Sequence, residues 1–143
     1  MSSIFHGADR VPIPPRDAEQ FTTVCSYCIV GCGYRVFKWP QGKEGGPLPA
    51  HNALQVDFTK QQPAQSGTWI SPAMHSVVTD RDGARSHVVV LPDVGCVVNR
   101  GNHSLRGGTH GSVLYASDRP TADRLSHPLL YRGGSQLPTT WQE

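Results

Sequence analysis

No stretch of this chain approaches the ~20 consecutive apolar residues that a membrane-spanning helix needs. It has no basic run interleaved with aromatics, and a formal charge of +2 is too small to argue for a nucleic-acid or membrane surface. Residues 1–16 hold no apolar core and no twin-arginine pair, so no export signal is expected in this sequence. Sustained helical periodicity is missing before residue 112, and Gly107-Gly108 follows no strand–helix boundary of the kind a dinucleotide fingerprint requires. The apolar fraction is low, at 37%, while 15 glycines and 12 prolines imply a loop-rich build. Cysteine is scarce too, with four in 143 residues.

That scarcity makes the placement of the cysteines informative. Cys25, Cys28 and Cys32 fall within eight residues, at C-x2-C-x3-C spacing. Sulfurs this close in sequence rarely meet disulfide geometry, but they can converge on one inorganic centre. Gly31 and Gly33 bracket Cys32 and are expected to let the backbone take positive φ and pass close to a bulky group. Ile29 and Val30 are expected to give that group a dry wall. The residues alone leave zinc and an iron–sulfur cluster equally open, with His103, His110 or Cys96 as a fourth zinc ligand. Cys96 otherwise reads as a small buried apolar residue.

The remaining elements are short. Val11-Pro12-Ile13-Pro14-Pro15 is held toward polyproline geometry and reads as a surface arm. Tyr34 to Trp39 is β-prone and ends at Pro40, and residues 41–50 form a loop. Leu54, Val56 and Phe58 alternate like a strand, and Trp69-Ile70 reads as another. The firmest expectation is a hairpin over about 76–91, in which Val77-Val78-Thr79 and His87–Leu91 flank Asp80-Arg81-Asp82-Gly83. Val97-Val98 is β-prone, and 112–118 and 121–131 have room for a turn or two of helix. These patterns predict an α+β, β-rich fold of short antiparallel strands and long loops. The expected organisation is an arm over 1–20, a cluster-binding domain over 21–118, and the start of a following domain over 119–143.

A second glycine-rich loop, Asn99 to Gly108, sharpens the reading. Beside the three-cysteine loop, Ser104-Leu105-Arg106-Gly107 resembles the C-x-K/R-G cluster segment of molybdopterin oxidoreductases related to dimethyl sulfoxide reductase, with serine in place of cysteine. Asp123-Arg124-Leu125 leading to Pro128-Leu129 resembles the R-L-x-x-P-L element of that superfamily, and Trp141-Gln142-Glu143 resembles the start of its W-D/E-E-A helix. Within it, the chain is most similar to the large, catalytic subunits of arsenite oxidases. Cys28 to Tyr34, Lys38-Trp39-Pro40, Glu44-Gly45-Gly46, Asn52-Ala53-Leu54, Ser71 to Met74, Val77 to Asp80 and Cys96 to Asn99 carry that resemblance.

The resemblance implies a 3Fe-4S cluster on Cys25, Cys28 and Cys32, with Ser104 facing the vacant corner and Arg106 between cluster and pterin. It further implies that the full subunit holds molybdenum bis-molybdopterin guanine dinucleotide and oxidises arsenite to arsenate. Electrons would then pass to a Rieske 2Fe-2S small subunit and on to a cytochrome c or cupredoxin. The periplasm is the implied destination, by export with the small subunit. No catalytic residue is expected in this chain, which alone would be inactive as a truncated portion of the subunit. The competing readings are a standalone iron–sulfur electron carrier and a zinc-stapled interaction module.

Overall fold

The computed structural model describes residues 11–61, 70–80, 82–114 and 127–142. Four strands form one antiparallel sheet: β1 (Glu19–Val24), β2 (Gly33–Pro40), β3 (His75–Thr79) and β4 (Arg85–Pro92). Their order across the sheet is β1-β2-β4-β3, with Val36 opposite both Phe21 and Val90. Two single helical turns, α1 (Leu105–Gly108) and α2 (His110–Leu114), follow. A separate hairpin, β5 (Leu129–Arg132) with β6 (Ser135–Pro138), closes the described chain. The β-rich, antiparallel, loop-dominated class expected from the sequence is the one observed. Among the described residues, no helix is long and apolar enough to cross a membrane.

Strand alternation divides the core between the two faces of the sheet. One face carries Phe37, Trp39, Val89 and Leu91, packed with Ala18 and Met74. The other carries Tyr34, Val36, Val88 and Val90, against which Cys25, Cys32 and Val78 pack. Fully burying one such large side chain contributes about 1.5–3 kcal/mol, so these two small clusters supply the main drive to fold. β2 and β4 are central because their residues are apolar on both faces, whereas β1 is an exposed edge strand.

The expected 76–91 hairpin is present as β3 and β4, with Thr79 opposite Arg85. Its turn is closed by Asp80 N–H to Ala84 O at 2.8 Å and Gly83 N–H to Asp80 O at 3.0 Å; Arg81 lies outside the described residues. The run from Tyr34 to Pro40 is β2, as its composition predicts.

Several expectations fail for identifiable reasons. Leu54, Val56 and Phe58 do not form a strand. The buried Asn52 side chain instead donates to the carbonyls of Gly46 (3.2 Å), Leu48 (2.8 Å) and Val56 (2.9 Å), and accepts from Val56 N–H (3.1 Å). That network curls the backbone through Gln55 at φ 57°. Val97-Val98 is also no strand. Successive turns from Cys96 N–H to Asp93 O and Arg100 N–H to Cys96 O leave Val97 84% exposed. Residues 129–131, expected to allow helix, are strand, because Gly133 and Gly134 at φ 58° and 83° make the tight turn that favours a hairpin. Trp69, the whole of 62–69, and 115–126 lie outside the described residues, so Asp123-Arg124-Leu125 and most of the helix expectation do too.

The proline-rich lead-in is packed rather than free where it is described. Pro14 and Pro15 are buried, Pro15 bridges to Asn52, and Ile13 O accepts from Gly45 N–H at 2.8 Å. β1, which the sequence reading does not anticipate, follows directly from this anchored segment.

Candidate metal centre

The three-cysteine run is the connection between β1 and β2. Pairing ends at Val24 opposite Gly33, and the loop is pinched at its base by Cys25 N–H donating to Cys32 O at 2.8 Å. Cys25 and Cys32 are therefore brought together, half-buried against the Tyr34–Val90 face. Cys28 stands at the exposed tip. Gly31 takes φ +66°, the left-handed conformation its position suggested. Gly33 is not left-handed; a β-carbon there would lie 2.8 Å from Cys96 Sγ, so its smallness admits a neighbouring loop. Ile29 and Val30 form no dry wall, since both project into solvent, Ile29 fully.

That neighbouring loop, 93–101, is tied to the cysteine hairpin by a side chain that sequence reasoning missed. Asn99 Oδ1 accepts from Gly33 N–H at 2.9 Å, while its Nδ2 donates to Gly33 O at 3.1 Å and Asn102 O at 2.9 Å. Asp93 N–H donates to Gly33 O at 2.9 Å, and Asp93 Oδ1 is 4.0 Å from Arg35 Nε. The expected role of Cys96 as a simple apolar filler does not hold. Backbone N–H groups of Val98 and Asn99 face its sulfur and hold the thiol below its ordinary pKa, because they favour the thiolate.

The Ser104–Gly107 segment forms α1. Ser104 Oγ caps it by accepting from Gly107 N–H at 3.2 Å, so this hydroxyl is engaged in local structure. Arg106 is exposed on the same turn. Gly107 brings α1 onto the cysteine loop: a β-carbon at this position would overlap Tyr34 Oη and lie 3.3 Å from Tyr34 Cζ. Tyr34 is 1% exposed, and burial, with the thiols of Cys25 and Cys32, pushes its pKa up to about 12.

Behind α1, His110 is buried with its ring stacked on Tyr34 (centroids 5.3 Å, 20°) and edge-on to Tyr27 (5.6 Å, 80°). Burial lowers its pKa, so the imidazole is neutral near pH 7. Its buried Nδ1 has no hydrogen-bond partner. Among the described residues, no three His, Cys, Asp or Glu side chains form a ready-made ligand group. Three thiols nonetheless share one hairpin loop, and an unsatisfied buried nitrogen lies behind it.

A family of proteins known as Rieske 3Fe-4S matches residues 25–121, more than half of the chain. The chain belongs to this family. The matched Rieske 3Fe-4S region runs from the first cysteine of the hairpin loop through both glycine-rich turns. Over 133 residues the chain is 48% identical to the arsenite oxidase subunit AioA of Herminiimonas arsenicoxydans, covering 93% of this chain and 16% of the relative. It is equally 48% identical over 136 residues to the iodate reductase subunit IdrA of Pseudomonas sp. (strain SCT), covering 94% and 15%. The same subunit of Denitromonas iodatirespirans is 47% identical over 135 residues, again covering 93% of this chain and 15% of its own length. The chain thus spans about a sixth of the length of the curated relatives it matches. The resemblance to arsenite oxidase large subunits holds, and iodate reductase subunits share it.

Proposed function

We propose that this chain is the cluster-holding portion of a molybdopterin-dependent oxidoreductase of the arsenite oxidase and iodate reductase kind. Cys25, Cys28 and Cys32 would hold a 3Fe-4S centre. The observation that carries this is 48% identity over 93% of the chain with an arsenite oxidase subunit, in a chain whose three clustered thiols share one pinched hairpin loop. Such a centre supplies one-electron exchange, with a potential set by its charge, hydrogen bonds and exposure.

The chain's own residues would set those conditions. Asn99 locks the second glycine loop against the base of the cysteine hairpin, and the Tyr34–Gly107 contact holds α1 beside it. Ser104 leaves the fourth corner without a thiolate, since a capping hydroxyl is a poor partner for iron beside sulfur. Arg106, exposed on α1, would present its cation toward the pterin. On this reading the full subunit binds molybdenum bis-molybdopterin guanine dinucleotide and acts on an oxyanion couple, either arsenite to arsenate or the reduction of iodate. A Rieske 2Fe-2S small subunit, then a cytochrome c or cupredoxin, would complete the electron path in the periplasm.

Iron, sulfide and zinc analysis with low-temperature EPR on anaerobically purified chain tests the site. About three irons per chain, paramagnetic when oxidised, is the expected result. Four irons, silent until reduced, would bring Cys96 back as a candidate fourth ligand. Zinc without iron would sink the oxidoreductase reading in favour of a structural zinc module. Activity of the full subunit with arsenite and with iodate separates the two substrates.

A further inference from the structure

His110 is the one buried titratable side chain among the described residues that the proposed function leaves idle and whose buried ring nitrogen has no partner. Buried polar atoms are paired in the great majority of cases, because an unpaired one forfeits its hydration without return. Two observations place the ring. It is stacked on Tyr34, which belongs to the cluster that Cys25 and Cys32 pack against, and it meets the edge of Tyr27, which lies between Cys25 and Cys28 in the chain. The imidazole is thus clasped by the two tyrosines of the cysteine hairpin, on the face where Cys25 and Cys32 pack.

We propose that His110 Nδ1–H donates a hydrogen bond to a sulfur of the iron–sulfur group held by the cysteine hairpin, making His110 a residue that raises the reduction potential. This rests on the iron–sulfur reading above. Reduction adds negative charge to the sulfurs, so a donor aimed at one stabilises the reduced state more than the oxidised state. Tyr34 and Tyr27 fix the ring plane, and burial keeps water from competing for the nitrogen.

The test uses the anaerobically purified, cluster-loaded full chain, with His110→Phe to keep the ring and remove the donor. His110→Asn restores an N–H near the Nδ1 position. Iron and sulfide content are measured first, then potentials by EPR-monitored redox titration. The expected result is unchanged iron in His110→Phe, with the reduced-to-oxidised ratio at fixed potential falling about tenfold. For one electron that is a drop of about 59 mV. His110→Asn should recover much of the drop.

The parent protein gives a second readout that needs no variant. Labelling with 15N-histidine should produce a nitrogen coupling in the cluster's pulsed EPR spectrum, and its absence would overturn the proposal. So would a parent potential in His110→Phe, which would mean that a buried water satisfies Nδ1. Equal shifts in both variants would make His110 a packing residue alone. A parent without iron would overturn the underlying reading as well, so the two failures are distinguishable.

Discussion

Replacing Gly107 by alanine should destabilise the junction between α1 and the cysteine hairpin, and the magnitude follows from one contact. The new β-carbon would overlap Tyr34 Oη. Tyr34 cannot turn aside, being 1% exposed and stacked on His110. Overpacking of this kind costs about 1–3 kcal/mol. Alanine's better helix propensity returns about 0.5–1 kcal/mol in a helix interior, and less in a single turn. A net loss of about 1–2 kcal/mol is expected. Tyr34→Phe removes the overlapping oxygen and leaves the β-carbon 3.3 Å from the ring's Cζ, tight but tolerable. In that background Gly107→Ala should cost little, a coupling of about 1–2 kcal/mol in the double-mutant cycle. Urea unfolding followed by fluorescence of the buried Trp39 measures all four proteins. An equal cost in both backgrounds, or none in the parent, would refute the contact as the cause.

Two further perturbations probe the scaffold. Asn52→Leu strips the 46–56 loop of four hydrogen bonds in a fully buried place, so a loss of about 3 kcal/mol is expected, together with faster hydrogen exchange at the Val56 amide; parent-like protection there would contradict it. His75, whose Nε2 is 3.0 Å from His87 Nδ1, is driven from 6.5 to about 4 by burial first and by His87 second. The unfolded chain then binds more protons between those values, so stability should fall as pH drops from about 6.5 to about 4 and level off below. The full shift corresponds to a ceiling of about 3 kcal/mol; allowing for partial exposure, about 1–2 kcal/mol is expected. His75→Phe should flatten that part of the pH profile, and an unchanged slope would place the sensitivity elsewhere.

The residues themselves determined those features whose causes are local. Runs of β-branched residues on either side of Asp80–Gly83 dictate the β3–β4 hairpin, and the Tyr34–Pro40 run dictates β2, because strand preference and turn chemistry act over a few neighbours. The Gly133-Gly134 hairpin was equally legible, since paired glycines between β-prone segments are a turn signal, though the sequence reading passed it by. The C-x2-C-x3-C spacing marked the candidate site for the same reason: three thiols within eight residues need no distant partner to be recognised.

Only the tertiary structure decided what surrounds that loop. Asn99 reaches Gly33 across 66 residues, and Cys96 lies against the same glycine. Gly107 closes on Tyr34, and His110 enters between the two tyrosines with an unsatisfied nitrogen. None of these pairs has a sequence period, because each depends on the β2–β4 pairing that carries the second glycine loop back to the first. Leu54–Phe58 failed as a strand for the complementary reason: its local alternation was overridden by one buried asparagine whose side chain bonds carbonyls on either side of it. Local chemistry named the thiols; long-range packing determined the side chains that surround their loop.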